Sequence, residues 1–198
     1  MALLVGFTHP VSQAQRAFRL ILKALSEPGY PVALEDCPRW EAVSPAAAGV
    51  LLTLADGDTP VYLAPPLSSD SVQATLRFHT GAPLTPALGK AAFALFDERL
   101  TAADLQALPC GDETSPESGA TVLVQVASLD KGEPLRLRGP GIKERRDIAP
   151  TLPAALQDYL LTPSRRFPLG LDFLILCENR LLAIPRTTHV EAHSCMSQ

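Results

Sequence analysis

Cysteine is scarce in this 198-residue chain, and the four present are scattered as Cys37, Cys110, Cys177 and Cys195. No two share a CxxC spacing, and none forms a metal-ligand pattern with His9, His79, His189 or His193. That excludes a disulfide framework and a sequence-local zinc site, and predicts reduced thiols in a cytoplasmic protein. No apolar run reaches the ~18–20 residues that cross a bilayer. The opening MALLVGFTHP has no basic residue before its apolar stretch and no cleavage-like site, so neither a secretory signal nor membrane association is expected. Basic runs interleaved with aromatics are also missing, and the net charge is −4, which argues against nucleic acid.

Catalytic signatures are absent too. The chain has no G-x-G-x-x-G, no G-x-x-x-x-G-K-[ST], no G-x-S-x-G and no H-E-x-x-H. A Schiff-base lysine would have to be Lys23, Lys90, Lys131 or Lys143, and none has a sequence context suggesting activation. No two residues have the spacing needed to name a nucleophile and its base, so no catalytic residue and no metal ligand is assigned.

What is present describes a folded domain. Hydrophobic residues make up 46% and charged residues 19%, too apolar and too weakly charged for a disordered chain. The length suits a single domain over residues 1–198, burying roughly 70% of the surface an unfolded chain exposes. Nineteen prolines against twelve glycines point to short elements joined by stiff turns. Residues 131–186 hold ten basic and six acidic side chains, leaving −8 on the rest. That basic third suits either an anionic partner or a salt-bridged surface.

Helix and strand signals alternate along the chain. Ser12 and Gln15 have capping-box spacing, and Ala14, Phe18, Ile21, Leu22 and Leu25 recur as an apolar stripe ending by Glu27. Ser44-Pro45 starts a second helix, buried nearly all round. Ser69 or Asp70 caps a third through about Phe78, and Thr101 with Asp104 a short fourth. Residues 151–161 predict a fifth. Strands are predicted at PVYLAP, residues 91–96, residues 120–129 and residues 134–139. DFLILC and RLLAIP form a hairpin across Glu178-Asn179. The pattern predicts a three-layer α/β/α fold around a mixed sheet.

Three clusters could carry chemistry. GPGI at 139–142, with Arg138, Lys143, Arg145 and Arg146 nearby, is either an anion-approaching loop or a rigid turn. Arg77 and His79 at the end of the third helix either face a ligand or complement the helix dipole. Arg186, Thr187, Thr188 and His189 form an oxyanion-binding set or a hydrogen-bonded strand end. Asp172 is read as a turn residue opening the next strand.

The strings LLTLADGDTPV, RFHTGAP, LRLRGPGI, FPLGLD and IPRTTHV, in this order and spacing, resemble the PhnH family of the bacterial carbon–phosphorus lyase system. The resemblance runs over essentially the whole chain, and its departures sit in loops. It implies an α/β/α domain like the large domain of fold-type-I pyridoxal-phosphate transferases, without the cofactor site and with no cofactor of its own. It implies a homodimer in isolation and an assembly with the partners PhnG, PhnI and PhnJ. It also implies participation in forming α-D-ribose 1-methylphosphonate 5-triphosphate from ATP and methylphosphonate, with release of adenine. Four scattered cysteines cannot hold the iron–sulfur cluster of the later radical step, which therefore belongs to another subunit. Three roles remain open: an accessory, non-catalytic subunit; a nucleotide- or phosphonate-binding component using Arg77, His79, Arg186, Thr187, Thr188 and His189; or a pure assembly module.

Overall fold

The first helix, α1 (Pro10–Ser26), begins at a proline whose missing N–H costs nothing at that position. In this computed structural model, which describes residues 3–162 and 167–192, the capping box expected at Ser12 is not formed. Ser12 lies inside the helix and donates to the His9 carbonyl, while the Gln13 side chain accepts the His9 N–H at 2.5 Å. The expected apolar stripe is also corrected. Gln13, Ala17, Ile21 and Ala24 face the core, whereas Phe18 and Leu22 are 49% and 53% exposed. Small Ala17 and Ala24 let α1 pack closely on α2 (Pro45–Leu54), which is buried from Ala46 through Leu51.

Local capping chemistry sets the other helix starts. The Ser44 hydroxyl accepts the Ala47 N–H at the head of α2. Ser69 does the same for Val72 in α3 (Asp70–Thr80), which ends on Gly81 at φ 73°. Thr101 and Asp104 form both bonds of a capping box on α4 (Ala102–Ala107). Helix α5 (Ala154–Leu161) follows Pro153 with no side-chain cap.

The main sheet has six strands: β1 (Val32–Ala33), β2 (Val61–Leu63), β3 (Phe93–Phe96), β4 (Thr121–Gln125), β7 (Asp172–Cys177) and β8 (Arg180–Ile184), in the order β1-β8-β7-β4-β3-β2. Strands β2, β3, β4 and β7 run parallel, and β8 returns antiparallel through the Glu178-Asn179 turn. The sheet is therefore mixed, as the C-terminal hairpin predicts. Its side chains alternate between two cores. Leu95, Leu123, Leu174 and Leu176 meet α1, α2 and α3. Phe96, Val122, Val124, Phe173 and Ile175 meet α4, α5 and a second sheet. That second sheet is antiparallel, with β5 (Leu135–Arg138) between β6 (Arg146–Ile148) and β9 (His189–Ala192). Only β5 was visible as a strand in the sequence. Strand β9 is short and largely exposed, so it lacks the apolar pattern that marks a strand.

Candidate functional site

Strand β8 ends at Ile184, and Pro185 starts a tight turn closed by the Thr188 N–H on the Pro185 carbonyl at 2.8 Å. The chain then enters β9. This places Arg186, Thr187, Thr188 and His189 along one cleft of about 1020 Å³. The C-terminal end of α5 (Leu160, Leu161), Pro140 and Phe167 form other parts of the wall. All four residues of β9 line the cleft, so the cavity runs along the outer edge of the small sheet. Arg138 also lines it, in register opposite His189 and 4.0 Å from Glu191.

Arg186 is only 12% exposed, and all five of its guanidinium N–H groups are used inside the chain. Two go to the Asp172 carboxylate, at 3.1 and 2.6 Å. The others reach the carbonyls of Pro116, Pro168 and Gly119. The Asp172 carboxylate also accepts the Arg186 backbone N–H at 2.8 Å. Asp172 is thus the counter-ion of Arg186 and not merely a turn residue. Gly119 has no room for a side chain: a Cβ there would lie 2.5 Å from the Gly170 carbonyl and 2.9 Å from the guanidinium. An arginine with every donor committed ties segments together and offers an incoming anion nothing without breaking a bond.

Thr188 is 3% exposed, and its hydroxyl has no hydrogen-bond partner among the described residues. A buried, unpaired hydroxyl costs about 1–3 kcal/mol. Thr188→Val is therefore expected to raise the unliganded protein's stability by about 1 kcal/mol, a rise of roughly 2–4 °C in melting temperature for a chain of this size. Calorimetry checks this, and a fall in melting temperature would mean that the hydroxyl is satisfied.

Arg77 and His79 do not join this cleft. Arg77 lines a separate cavity of about 540 Å³ with Tyr62 and Gln73. The His79 ring Nε2 lies 3.3 Å from the Leu4 carbonyl, and Gly6 packs so closely that a Cβ would sit 2.6 Å from the imidazole. Both side chains occupy the last turn of α3, where positive charge complements the helix dipole.

The glycines of GPGI serve a turn. Gly139 and Gly141 have φ of 136° and 80°. A Cβ on Gly141 would lie 1.9 Å from the Ser26 carbonyl at the end of α1. Arg146 donates to the Glu27 and Pro28 carbonyls, so this basic residue is likewise committed to the fold.

Nucleophile candidates are no better placed. Burial pushes the Cys37 thiol up to about 11, with Asp36 adding to it. Burial also raises Cys110, offset by Arg186, and raises Cys177. Lys23, Lys90, Lys131 and Lys143 are all exposed, so none is desolvated as an activated amine requires. Among the described residues, no three His, Cys, Asp or Glu side chains group as a metal site, and no helix is long and apolar enough to cross a membrane. His193, Cys195, Arg165 and Arg166 lie outside the described residues.

Comparison with known proteins matches residues 5–191 to the family described as bacterial phosphonate metabolism protein (PhnH). The chain belongs to the PhnH family. A relative from Rhizobium meliloti (strain 1021), named alpha-D-ribose 1-methylphosphonate 5-triphosphate synthase subunit PhnH, is 35% identical over 188 residues, covering 94% of each chain. A second, from Stutzerimonas stutzeri and named as a candidate C–P lyase subunit, HtxG, is 33% identical over 187 residues, covering 89% of this chain and 85% of its own. The match spans the six-stranded sheet, both cores, and the cleft as far as Glu191.

Proposed function

We propose that this chain is an accessory subunit of the carbon–phosphorus lyase machinery, needed to form α-D-ribose 1-methylphosphonate 5-triphosphate from ATP and methylphosphonate, and that it carries out no bond-making step by itself. The observation that carries this reading is the end-to-end match to a synthase subunit at 35% identity. The side-chain chemistry supports the accessory role. Arg186, which looked most like an anion clamp in the sequence, is consumed by Asp172 and three carbonyls. The described thiols are held in their protonated form and the lysines are solvated.

The finer parts of the proposal are that PhnG, PhnI and PhnJ are its partners, that the isolated chain forms a homodimer, and that it works in the cytoplasm. Kinship with the large domain of pyridoxal-phosphate transferases also belongs here. A mixed sheet with helices against both faces is consistent with it, though such an architecture carries no function with it.

A second reading is favoured by the orphaned Thr188 hydroxyl. The cleft would hold an anionic ligand with an apolar body, Thr188, Arg138 and His189 meeting its polar end and Leu160 and Phe167 its apolar side. Arg77 and His79 would not take part, because they line a different part of the surface.

Mixing the purified chain with PhnG, PhnI and PhnJ is expected to give one co-eluting particle on size exclusion. A chain that elutes alone from every such mixture contradicts the subunit reading. Calorimetric titration of the isolated chain with ATP tests the second reading, and heat lost in Thr188→Val would support it.

A further inference from the structure

Strand β9 is an open edge of the small sheet. One side of it is laddered to β5, and among the described residues no hydrogen bond reaches the other. Alternate residues of an antiparallel ladder turn their N–H and C=O away from the partner strand, so this edge presents a row of free donors and acceptors. The row does not lie on open surface. All four residues of β9 line the cleft, with the end of α5, Pro140 and Phe167 forming its other walls. Free backbone groups in such a recess are met by the backbone of one further extended segment. The β5–β9 register gives that segment two different surroundings, because residues paired across a ladder share a face. Val190 and Ala192 stand opposite Leu137 and Leu135, on the face that closes over the second core. His189 and Glu191 stand opposite Arg138 and Arg136, on the wetter face. Side chains of a strand added here alternate likewise, one inward toward Leu160 and the next outward toward charge.

The groups at one end of the cleft set the direction and the charge of that segment. Where β9 begins, the Thr188 hydroxyl is buried with no partner. Beside it Arg138 has a guanidinium that makes no hydrogen bond, and its nearest carboxylate, Glu191, is 4.0 Å away. One uncommitted guanidinium and one uncommitted hydroxyl suit a single negative charge. A triphosphate would find too few cations here, with Arg186 committed to Asp172, and would also face Glu191. In an antiparallel addition the C-terminus of the new strand falls at the N-terminal end of β9, beside Thr188 and Arg138. A parallel addition would put an N-terminus there, and Arg138 repels its ammonium.

We infer that the cleft receives the extended C-terminal segment of another protein, added antiparallel to β9, with its terminal carboxylate on Arg138 and the Thr188 hydroxyl. The inference rests on the second reading above, that the cleft holds an anionic ligand with an apolar body, and names that ligand: the anion is a chain terminus, and the apolar body is every second side chain before it. A second copy of this chain is the wrong occupant. Its own β9 lies behind the same walls of α5, Pro140 and Phe167, so two recessed edges do not reach each other, whereas a single slender segment enters.

The test titrates the full chain with synthetic C-terminal peptides of PhnG, PhnI and PhnJ by calorimetry, each with a free or an amidated C-terminus, and follows deuterium uptake of β9. One free-acid peptide should bind and slow exchange of the outward β9 amides. Amidation should weaken it about tenfold or more, and so should Arg138→Gln, which also flattens the salt dependence. Thr188→Val should weaken it while the protein still melts no lower than wild type, and Arg99→Gln, at an exposed arginine on the β3–α4 turn, should change nothing. No binding by any of the three peptides overturns the inference. If ATP nevertheless binds, and Thr188→Val abolishes it, the second reading stands with a small ligand in place of the peptide; if neither binds, both fall. Equal binding of free and amidated peptides overturns the carboxylate. Outward amides already protected in the free chain show the edge to be covered by the chain itself, or by a second copy where protection rises with concentration, and either result overturns the choice of occupant.

Discussion

Arg186→Ala is expected to destabilise the fold by about 3–5 kcal/mol, the range seen when one member of a buried ion pair is removed. A fall of roughly 6–20 °C in melting temperature should follow. The mechanism is specific. The change leaves the Asp172 carboxylate, only 24% exposed, with the backbone N–H of residue 186 but without its cation, and takes a guanidinium donor from each of the carbonyls of Pro116, Gly119 and Pro168. The carbonyls belong to the loops before β4 and β7, Asp172 opens β7, and Arg186 lies in the turn after β8, so the loss is felt where three connections of the main sheet meet. Arg186→Lys should recover little, because an ammonium has three donors and no planar fork to span Asp172 and the carbonyls together. Had Arg186 been an anion clamp, alanine would leave stability intact and abolish ligand binding. Thermal melts of the three proteins separate the two cases. A wild-type melting temperature for Arg186→Ala would return the residue to the list of ligand contacts.

Gly141→Val should be nearly as damaging, at about 3 kcal/mol or more. A β-branched residue at φ 80° is strained by about 1–3 kcal/mol before any contact is considered. The new Cβ would then lie 1.9 Å from the Ser26 carbonyl, so either the 139–142 turn or the end of α1 must move. Urea unfolding is the direct measure. If the loop instead served to bring backbone amides to an anion, the valine variant would fold normally and lose only ligand affinity. A midpoint equal to wild type would support that alternative.

Elements whose determining chemistry is local are legible in the sequence. Ser44-Pro45, Ser69, and Thr101 with Asp104 each set a helix start through atoms three residues apart or fewer. Strands β4, β7 and β8 are nearly continuous apolar runs, because both faces of the main sheet are covered. Elements fixed by a partner distant in the chain are not legible in this way. Periodicity finds an apolar stripe on α1 but cannot choose between two, and the close approach to α2 selects the one built on alanines. Strand β9 pairs with β5 about fifty residues earlier and carries no pattern of its own.

The candidate site divides in the same way. Residues 186–189 share a cleft because they are adjacent on the chain. The role of Arg186 was hidden because its carboxylate lies 14 residues back and one of its carbonyls 70 residues back. Arg138 could be suspected from the alternation in LRLR, yet only the β5–β9 register places it opposite His189. Nothing local separates Arg77 and His79 from that group. They share its residue types and lie elsewhere because α3 packs against the opposite core.

The decisive measurement is adenine release from ATP and methylphosphonate, followed chromatographically with the purified chain alone, with PhnG, PhnI and PhnJ together, and with all four. An accessory subunit predicts no adenine from the chain alone, release by the four, and a large loss when this chain is left out. Turnover by the chain alone, or equal turnover without it, contradicts the account.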